Sequence, residues 1–166
     1  MSQYVITVDT GVRDLRAADH LLLELAAELA LPRGAFGCTH LVRGERPRVV
    51  FSFTTASEEP ARRLTAKEYE VTAGAPDEVG RAVVYPGSDA LTGTMTVAEL
   101  LSASAIDRVT VLGSPGEPPP DQRLMTRSHV RPQWQTGELV LTAMPAAGGT
   151  LVPFEVPDPT PCCADH

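Results

Sequence analysis

The residues of this sequence best suited to chemistry are its cysteines and histidines, because thiolate and imidazole groups bind metals and act as nucleophiles or bases. All three cysteines and two of the four histidines fall in two short segments, one close to position 40 and one at the C-terminal end. Their concentration in two segments indicates a shared site. The candidate metal ligands are Cys38, His40, Cys162, Cys163 and His166.

Cys38 and His40 are two residues apart on an expected strand, so their side chains point to the same face and can bind one ion together. Cys162 or Cys163, together with His166, supplies a second pair of donors. Zinc and copper(I) prefer thiolate and imidazole, and a structural zinc ion takes four ligands. The sequence therefore predicts a small metal-binding protein, with zinc or copper as its cofactor and the tail folded back onto the segment near Cys38. The spacing matches no Cys-x-x-Cys motif, so a buried, unreactive Cys38 stays an alternative.

A cysteine nucleophile is a second use of the same residues. An exposed thiol beside His40 or His166 would have a lowered pKa and a larger thiolate fraction, which favours covalent catalysis. Such catalysis also needs a third group that orients the base, and the sequence does not identify one. The pattern therefore leaves open whether the protein is an enzyme.

A cationic stripe is the third chemical feature. If residues 124–134 form one strand, Arg127, His129 and Arg131 share a face with successive side chains about 7 Å apart. Arginine suits carboxylate and phosphate, so the stripe indicates a binding module for a small anion or for an acidic segment of a partner protein. A solvated face that pairs with acids of the same chain is the alternative. Those acids would be Glu138, Asp158 and Asp165.

The charge balance disfavours nucleic acid as a partner. The formal net charge is −7 and the pI is about 5.0, whereas a protein that binds phosphate backbones needs a basic stripe. The longest apolar stretch, residues 21–31, is interrupted by Glu24 and Glu28 and is too short for a membrane span. No signal peptide is expected, and an odd number of cysteines argues against a complete disulfide framework. We therefore expect a soluble, cytoplasmic protein.

The first half of the chain alternates strand and helix patterns. A helix is expected over residues 15–29, capped by Asp14, with Asp19 on its polar face. Residues 62–72 fit a helix or a strand equally well. If they are helical, the order is β-α-β-β-α-β, a ferredoxin-like arrangement with two helices on one face of an antiparallel sheet. The expected strands are residues 4–9, 37–42, 48–54 and 81–85.

The second half is predicted to be mainly antiparallel β. Thr96 caps a short expected helix over residues 97–105, and residues 135–137 provide a hairpin connection that ends in glycine. The expected α+β protein therefore divides into a ferredoxin-like part at residues 1–87, a mainly β part at 88–156, and a tail rich in proline and cysteine at 157–166. The expected strands of the β part are residues 108–112, 124–134, 138–144 and 150–156.

Overall fold

The structure is a computed structural model and describes residues 3–157. These residues form three α-helices and one sheet of 11 strands, a mixed α and β architecture. The helices are α1 (Leu15–Glu28), α2 (Glu59–Ala66) and α3 (Val97–Ala103). The strands are β1 (Tyr4–Asp9), β2 (Phe36–Val42), β3 (Arg48–Thr55), β4 (Glu70–Ala73), β5 (Arg81–Val84), β6 (Thr94–Thr96), β7 (Arg108–Val111), β8 (Arg123–Met125), β9 (Gln133–Gln135), β10 (Glu138–Pro145) and β11 (Leu151–Pro153).

The first half of the sheet has the strand order β4-β1-β3-β2-β5, and every pair in it is antiparallel. Alternate residues of β3 point to one face, where Phe51 and Phe53 pack against the apolar stripe of α1. Leu64 of α2 joins the same core. Helix α1 begins as expected, since the Asp14 side chain accepts a hydrogen bond of 2.8 Å from the Ala17 amide.

Residues 62–72, which fit a helix or a strand equally well in the sequence, contain the end of helix α2 and the first residues of strand β4. Helix α2 starts at Glu59, inside the segment 57–60 whose sequence is typical of a helix start, with Pro60 in its first turn where proline costs no hydrogen bond. It ends at Ala66, and Glu68 has a φ of 68°, which turns the chain into β4. Strand β4 pairs with β1, whereas β5 pairs with β2 on the other side. Residues 74–80 therefore carry the chain from one edge of this half-sheet to the other.

The second half of the sheet continues from β5 in the order β9-β10-β11-β8-β6, with β7 beside β10. Most of its pairs are antiparallel, and the pairs β10–β7 and β11–β8 are parallel. Thr96 caps α3 with a reciprocal hydrogen bond to Glu99, as its sequence suggests. Thr136 and Gly137 form the expected hairpin turn between β9 and β10, both with positive φ. A second buried core lies here, around Leu100, Leu124, Leu139 and Leu141.

The prediction of one strand over residues 124–134 is wrong. Strand β8 ends at Met125, and Arg127 and Ser128 both have left-handed backbones, with φ of 57° and 53°. Two consecutive left-handed residues reverse the chain direction, so the pleated ladder of Arg127, His129 and Arg131 does not form. The last expected strand, residues 150–156, is also shorter than expected and covers only Leu151–Pro153.

The two halves share one continuous sheet, because Arg81 of β5 pairs with Gln133 of β9. The division of the chain after residue 87 stays a prediction. Within residues 3–157, no helix combines the length and the apolar character that crossing a membrane requires.

Candidate functional site

Five charged or titratable side chains meet where the two halves of the sheet join, and we call them the arginine cluster. They come from separate parts of the chain: α1, the start of β5, the loop between β8 and β9, and the segment after β11. Four of the five side chains are only 10–15% exposed, and the fifth, that of Glu155, is 34% exposed. The members of the arginine cluster are Asp19, Arg81, His129, Arg131 and Glu155.

Arg81 is the centre of the arginine cluster. Its Nη1 and Nη2 donate to the two carboxylate oxygens of Asp19 at 2.6 and 2.9 Å. Its Nε and Nη2 donate to the two oxygens of Glu155 at 2.7 and 2.5 Å, and Nη1 also lies 3.2 Å from the Thr39 hydroxyl. One guanidinium group therefore holds two carboxylates, each through two hydrogen bonds, which is the strongest geometry for this pair of groups.

His129 and Arg131 complete the arginine cluster from the loop that follows the left-handed turn. His129 Nε2 lies 2.7 Å from Glu155 Oε2, and Arg131 Nε donates to Asp19 Oδ2 at 3.1 Å. Because an ionised carboxylate only accepts hydrogen bonds, Nε2 of His129 carries the proton in this contact. Arg127, the third residue of the expected stripe, is exposed and lies outside the cluster.

The electrostatics of the arginine cluster favour its charged state. Burial opposes ionisation of Asp19, but hydrogen bonds and charge from Arg81, reinforced by Arg131, outweigh it and hold the pKa of Asp19 below its usual value. Burial likewise opposes ionisation of Glu155, and Arg81 and His129 lower the pKa of Glu155 overall. The pKa of Arg81 is raised despite burial, through its hydrogen bonds to Glu155 and Asp19. Each charge is therefore stabilised by its partners.

Glu155 stands between two cavities. One, of about 380 Å³, we call the polar cavity because the charged Arg43 and Asp77 line it, although Leu15, Leu41 and Val79 line it as well. The other, of about 390 Å³, we call the apolar cavity because most of its lining residues are apolar, Leu141 and Phe154 among them. The side chains of Glu155 and Gln133 border both. Both cavities therefore reach the arginine cluster, the polar one at Arg81 and the apolar one at Arg131.

The arginine cluster also contains a set of potential metal donors. One donor atom from each of Asp19, His129 and Glu155 lies within 4.8 Å of the others. Arg81 already bonds to both carboxylates, so an ion at this position would have to displace a guanidinium group or share the carboxylates with it. A neighbouring positive charge opposes binding of a cation, and the arrangement therefore suits an anion better than a metal.

The second buried polar feature, which we call the histidine network, contains Asp77, His40, Ser52 and Cys38. His40 Nδ1 lies 2.8 Å from Asp77 Oδ1, and His40 Nε2 lies 2.7 Å from Ser52 Oγ. Burial raises the pKa of the Cys38 thiol to about 11, against smaller lowering effects from hydrogen bonds of Trp134 and Ser52. The network therefore runs from the Asp77 carboxylate, at the surface, to a protonated thiol in the interior.

The order Ser52–His40–Asp77 matches the connectivity of hydrolytic triads, but its burial is reversed. A triad serine must be open to substrate, and its aspartate is buried. Here Ser52 is only 6% exposed, whereas the Asp77 side chain is 45% exposed. Both ring nitrogens of His40 are occupied as well. The network is thus arranged to satisfy buried polar groups, and it presents no nucleophile to a substrate.

Of the five residues predicted to bind metal, the structure brings two together. Cys38 and His40 do share a face of β2, because both side chains lie against Gly80. A Cβ atom added to Gly80 would lie 3.1 Å from Cys38 Cβ and 3.1 Å from His40 Cε1. Ser52 lies between them and joins them through hydrogen bonds. The other proposed ligands, Cys162, Cys163 and His166, lie outside the described residues, as do Asp158 and Asp165.

Sequence reasoning missed three members of the arginine cluster. Asp19 was expected on the polar face of α1, yet it is four residues after Leu15 and three before Leu22, which places it beside the apolar stripe. That spacing could have indicated that Asp19 is at least partly buried. Arg81 and Glu155 carried no such signal, because they are 74 residues apart and the sequence gives no reason to bring the start of β5 close to the segment after β11.

Comparisons with protein-family models, with curated protein sequences and with solved structures found no significant match for this chain. The chemistry of the arginine cluster is therefore the basis for a functional proposal.

Proposed function

We propose that this protein is a binding module for a carboxylate, which it holds with Arg81 and His129, with Arg131 nearby. The observation that carries the proposal is the position of Glu155. Its carboxylate receives two hydrogen bonds from Arg81 and one from His129, as a bound ligand would. It is also the most exposed member of the arginine cluster. In this proposal Glu155 is an internal occupant that an external carboxylate replaces.

The charge of the arginine cluster favours a monoanion. Without Glu155, two guanidinium groups face the single carboxylate of Asp19, which leaves one net positive charge when His129 is neutral. A carboxylate balances that charge, and its planar pair of oxygens matches the guanidinium fork. A phosphate dianion would carry one negative charge more than the cluster balances. Glu155 itself belongs to a peptide segment, so an acidic segment of a partner protein is a second source of the same group.

Chemical rescue tests the proposal. Glu155→Ala removes the internal carboxylate, and we expect a loss of stability of about 1 kcal/mol for this partly exposed group, or about 2–4 °C in Tm. Acetate should restore most of that loss with saturation, whereas chloride at equal ionic strength should not. N-acetylglutamic acid amide imitates a glutamate within a peptide. Its effect on the Tm of Glu155→Ala therefore tests whether an acidic segment of a partner protein can supply the carboxylate.

The matched control is Glu138→Ala, which removes an exposed glutamate that pairs with Arg108 at 3.5 Å. Acetate should not restore this variant. Rescue of Glu155→Ala should persist when Arg127→Ala is added and disappear when Arg131→Ala is added. Equal responses of the Glu155→Ala and Glu138→Ala proteins to acetate would overturn the proposal.

A metal-binding function is the second candidate, favoured by the closeness of the donor atoms of Asp19, His129 and Glu155. The zinc or copper site expected from Cys38, His40 and the C-terminal Cys162, Cys163 and His166 also stays a proposal. Metal analysis of protein purified without a histidine tag tests both. Bound zinc that Cys162→Ser with Cys163→Ser removes would support the tail site, and bound zinc that only Glu155→Ala removes would support the cluster.

Two finer descriptions belong with this proposal. We propose that the first half is ferredoxin-like, which is supported by its antiparallel strand order β4-β1-β3-β2 and by the shared core of α1 and α2. We also propose a cytoplasmic location, supported by the odd number of cysteines in the sequence, which argues against a complete disulfide framework.

A further inference from the structure

The apolar cavity beside Arg131 is where the arginine cluster meets exposed apolar surface. Leu112 and Phe154 line this cavity and are 55% and 54% exposed, so both still have apolar surface that a ligand could cover. Leu141 and Pro153 form the buried part of its wall. A cavity of about 390 Å³ falls within the size range of small-molecule sites.

Two charged residues border the apolar cavity, Arg131 and Glu155. They bond to Asp19 and Arg81, which are themselves paired, so the charge in the lining is concentrated at the arginine cluster. A molecule that fits such a space has a single negative group at one end and an apolar body at the other. The polar cavity also has exposed apolar side chains, Leu41 and Val79, but an apolar body there would desolvate the Asp77 carboxylate and the Arg43 guanidinium group at a cost.

We infer that the ligand is a small organic acid whose carboxylate replaces that of Glu155 and whose aliphatic or aromatic body lies in the apolar cavity against Leu112 and Phe154. This inference rests on the proposed carboxylate-binding function and adds the chemical class of the ligand. Binding of the body removes apolar surface of both partners from water. Each methylene buried in this way strengthens binding about fourfold, which corresponds to ~0.8 kcal/mol.

Calorimetric titration with acetate, butyrate and hexanoate tests the inference. The protein is the full chain with Glu155→Gln, which weakens the internal occupant while it keeps the shape of the side chain. We expect the affinity to rise about fourfold per methylene, so hexanoate, which has four more methylenes than acetate, should bind about 250-fold more tightly. Hexanol is the neutral control, and it should bind far more weakly than hexanoate because it lacks the charge that the arginines attract.

Three variants locate the apolar body. Leu112→Ser and Phe154→Ser each reduce the apolar wall at an exposed position, so they should lower the affinity for hexanoate and leave that for acetate unchanged. Leu41→Ser is the matched control, because Leu41 is 59% exposed and lines the polar cavity. It should affect neither acid.

The outcomes separate this inference from the function on which it rests. If acetate and hexanoate bind equally well, the inference is overturned and carboxylate binding stands. If the preference for hexanoate is lost in Leu41→Ser but kept in Phe154→Ser, the body lies in the polar cavity and the inference is likewise overturned. If neither acid binds, although Glu155→Gln remains folded, both proposals fail.

Discussion

The arginine cluster and the histidine network lie on opposite faces of the same strand. Thr39 of β2 contacts Arg81 of the cluster, whereas its neighbours Cys38 and His40 belong to the network. The network is formed by the β2–β3 hairpin and the crossing segment that contains Asp77, and its interior groups are closed off from solvent. The arginine cluster is charged, and one of its members, Glu155, is partly exposed.

This difference shows where a ligand can act. A polar network whose members are buried and paired contributes to a unique fold, but offers no group to a ligand. A cluster in which one carboxylate is partly exposed can exchange that carboxylate for another. In the proposed function the replaceable partner is Glu155, since Asp19 is held by two arginines and is only 10% exposed.

The largest expected effect is that of Arg81→Leu. The substitution leaves the Asp19 carboxylate buried with only Arg131 beside it, and the loss of one member of a buried ion pair costs about 3–5 kcal/mol. Urea denaturation measures the free energy of unfolding. Arg62→Leu is the control, because Arg62 is 71% exposed in its pair with Glu58 and should change stability by less than about 1 kcal/mol. Equal effects of the two substitutions would show that the ion pairs of the arginine cluster contribute no more to stability than a pair at the surface.

The reactivity of Cys38 tests whether the histidine network, on the other face of β2, is closed to small molecules. A pKa raised from 9.0 to about 11 lowers the thiolate fraction about 100-fold at neutral pH, and burial blocks access further. In protein with Cys162→Ser and Cys163→Ser, iodoacetamide should therefore modify Cys38 at least 100-fold more slowly in the native state than in urea. Rapid native alkylation, followed by mass spectrometry, would instead favour the cysteine-nucleophile hypothesis for this residue.

Gly80→Ala tests the packing of the histidine network without removing any of its members. The added Cβ would lie 3.1 Å from Cys38 Cβ and from His40 Cε1, and such overpacking costs about 1–3 kcal/mol. Gly116→Ala is the matched control, since its Cβ would meet nothing within 4 Å and its backbone needs no positive φ. Thermal unfolding of the two variants should differ accordingly. If Gly80→Ala is as stable as Gly116→Ala, the network is looser than described.

The pH dependence of stability gives the smallest expected effect. Because the pKa of Glu155 is lower in the folded protein, its contribution is fully present above the unfolded value, about 4.3, and is lost as the pH falls through the folded pKa. Glu155→Gln should therefore reduce the loss of stability as the pH falls below the unfolded value by roughly 1 kcal/mol, because the group is partly exposed. Glu138→Gln should not. An unchanged acid profile in Glu155→Gln would indicate that Glu155 is not bound to Arg81 in solution.

Local features of the fold could be predicted from the sequence, and distant pairings could not. The Asp14 cap, the Thr96 cap and the turn at Thr136 depend on neighbouring residues, and the structure confirms all three. The reversal at Arg127 and Ser128 was missed because neither residue is a usual signal for a left-handed backbone.

The arginine cluster was beyond sequence reasoning for a related reason. Arg81 lies 62 residues from Asp19 and 74 from Glu155 along the chain, and Arg131 lies 112 from Asp19. Only the order of strands in the sheet brings these groups together. His129 and Arg131 were singled out from the sequence, but within the described residues their partners are Glu155 and Asp19. Of the acids expected there, Glu138 pairs with Arg108, and Asp158 and Asp165 lie outside the described residues. Arginine and glutamate at such separations have no pattern that distinguishes them from ordinary surface residues.

The most direct test follows the Arg81 Nε–H resonance by NMR in Glu155→Ala protein, with its assignment confirmed by the loss of that signal in Arg81→Lys. The removal of Glu155 should shift or broaden the signal, and titration with hexanoate should return it towards its wild-type position with saturation, while the exposed Arg127 Nε–H stays unchanged. A signal that does not respond to hexanoate, or that moves only in parallel with that of Arg127, would contradict carboxylate binding at Arg81.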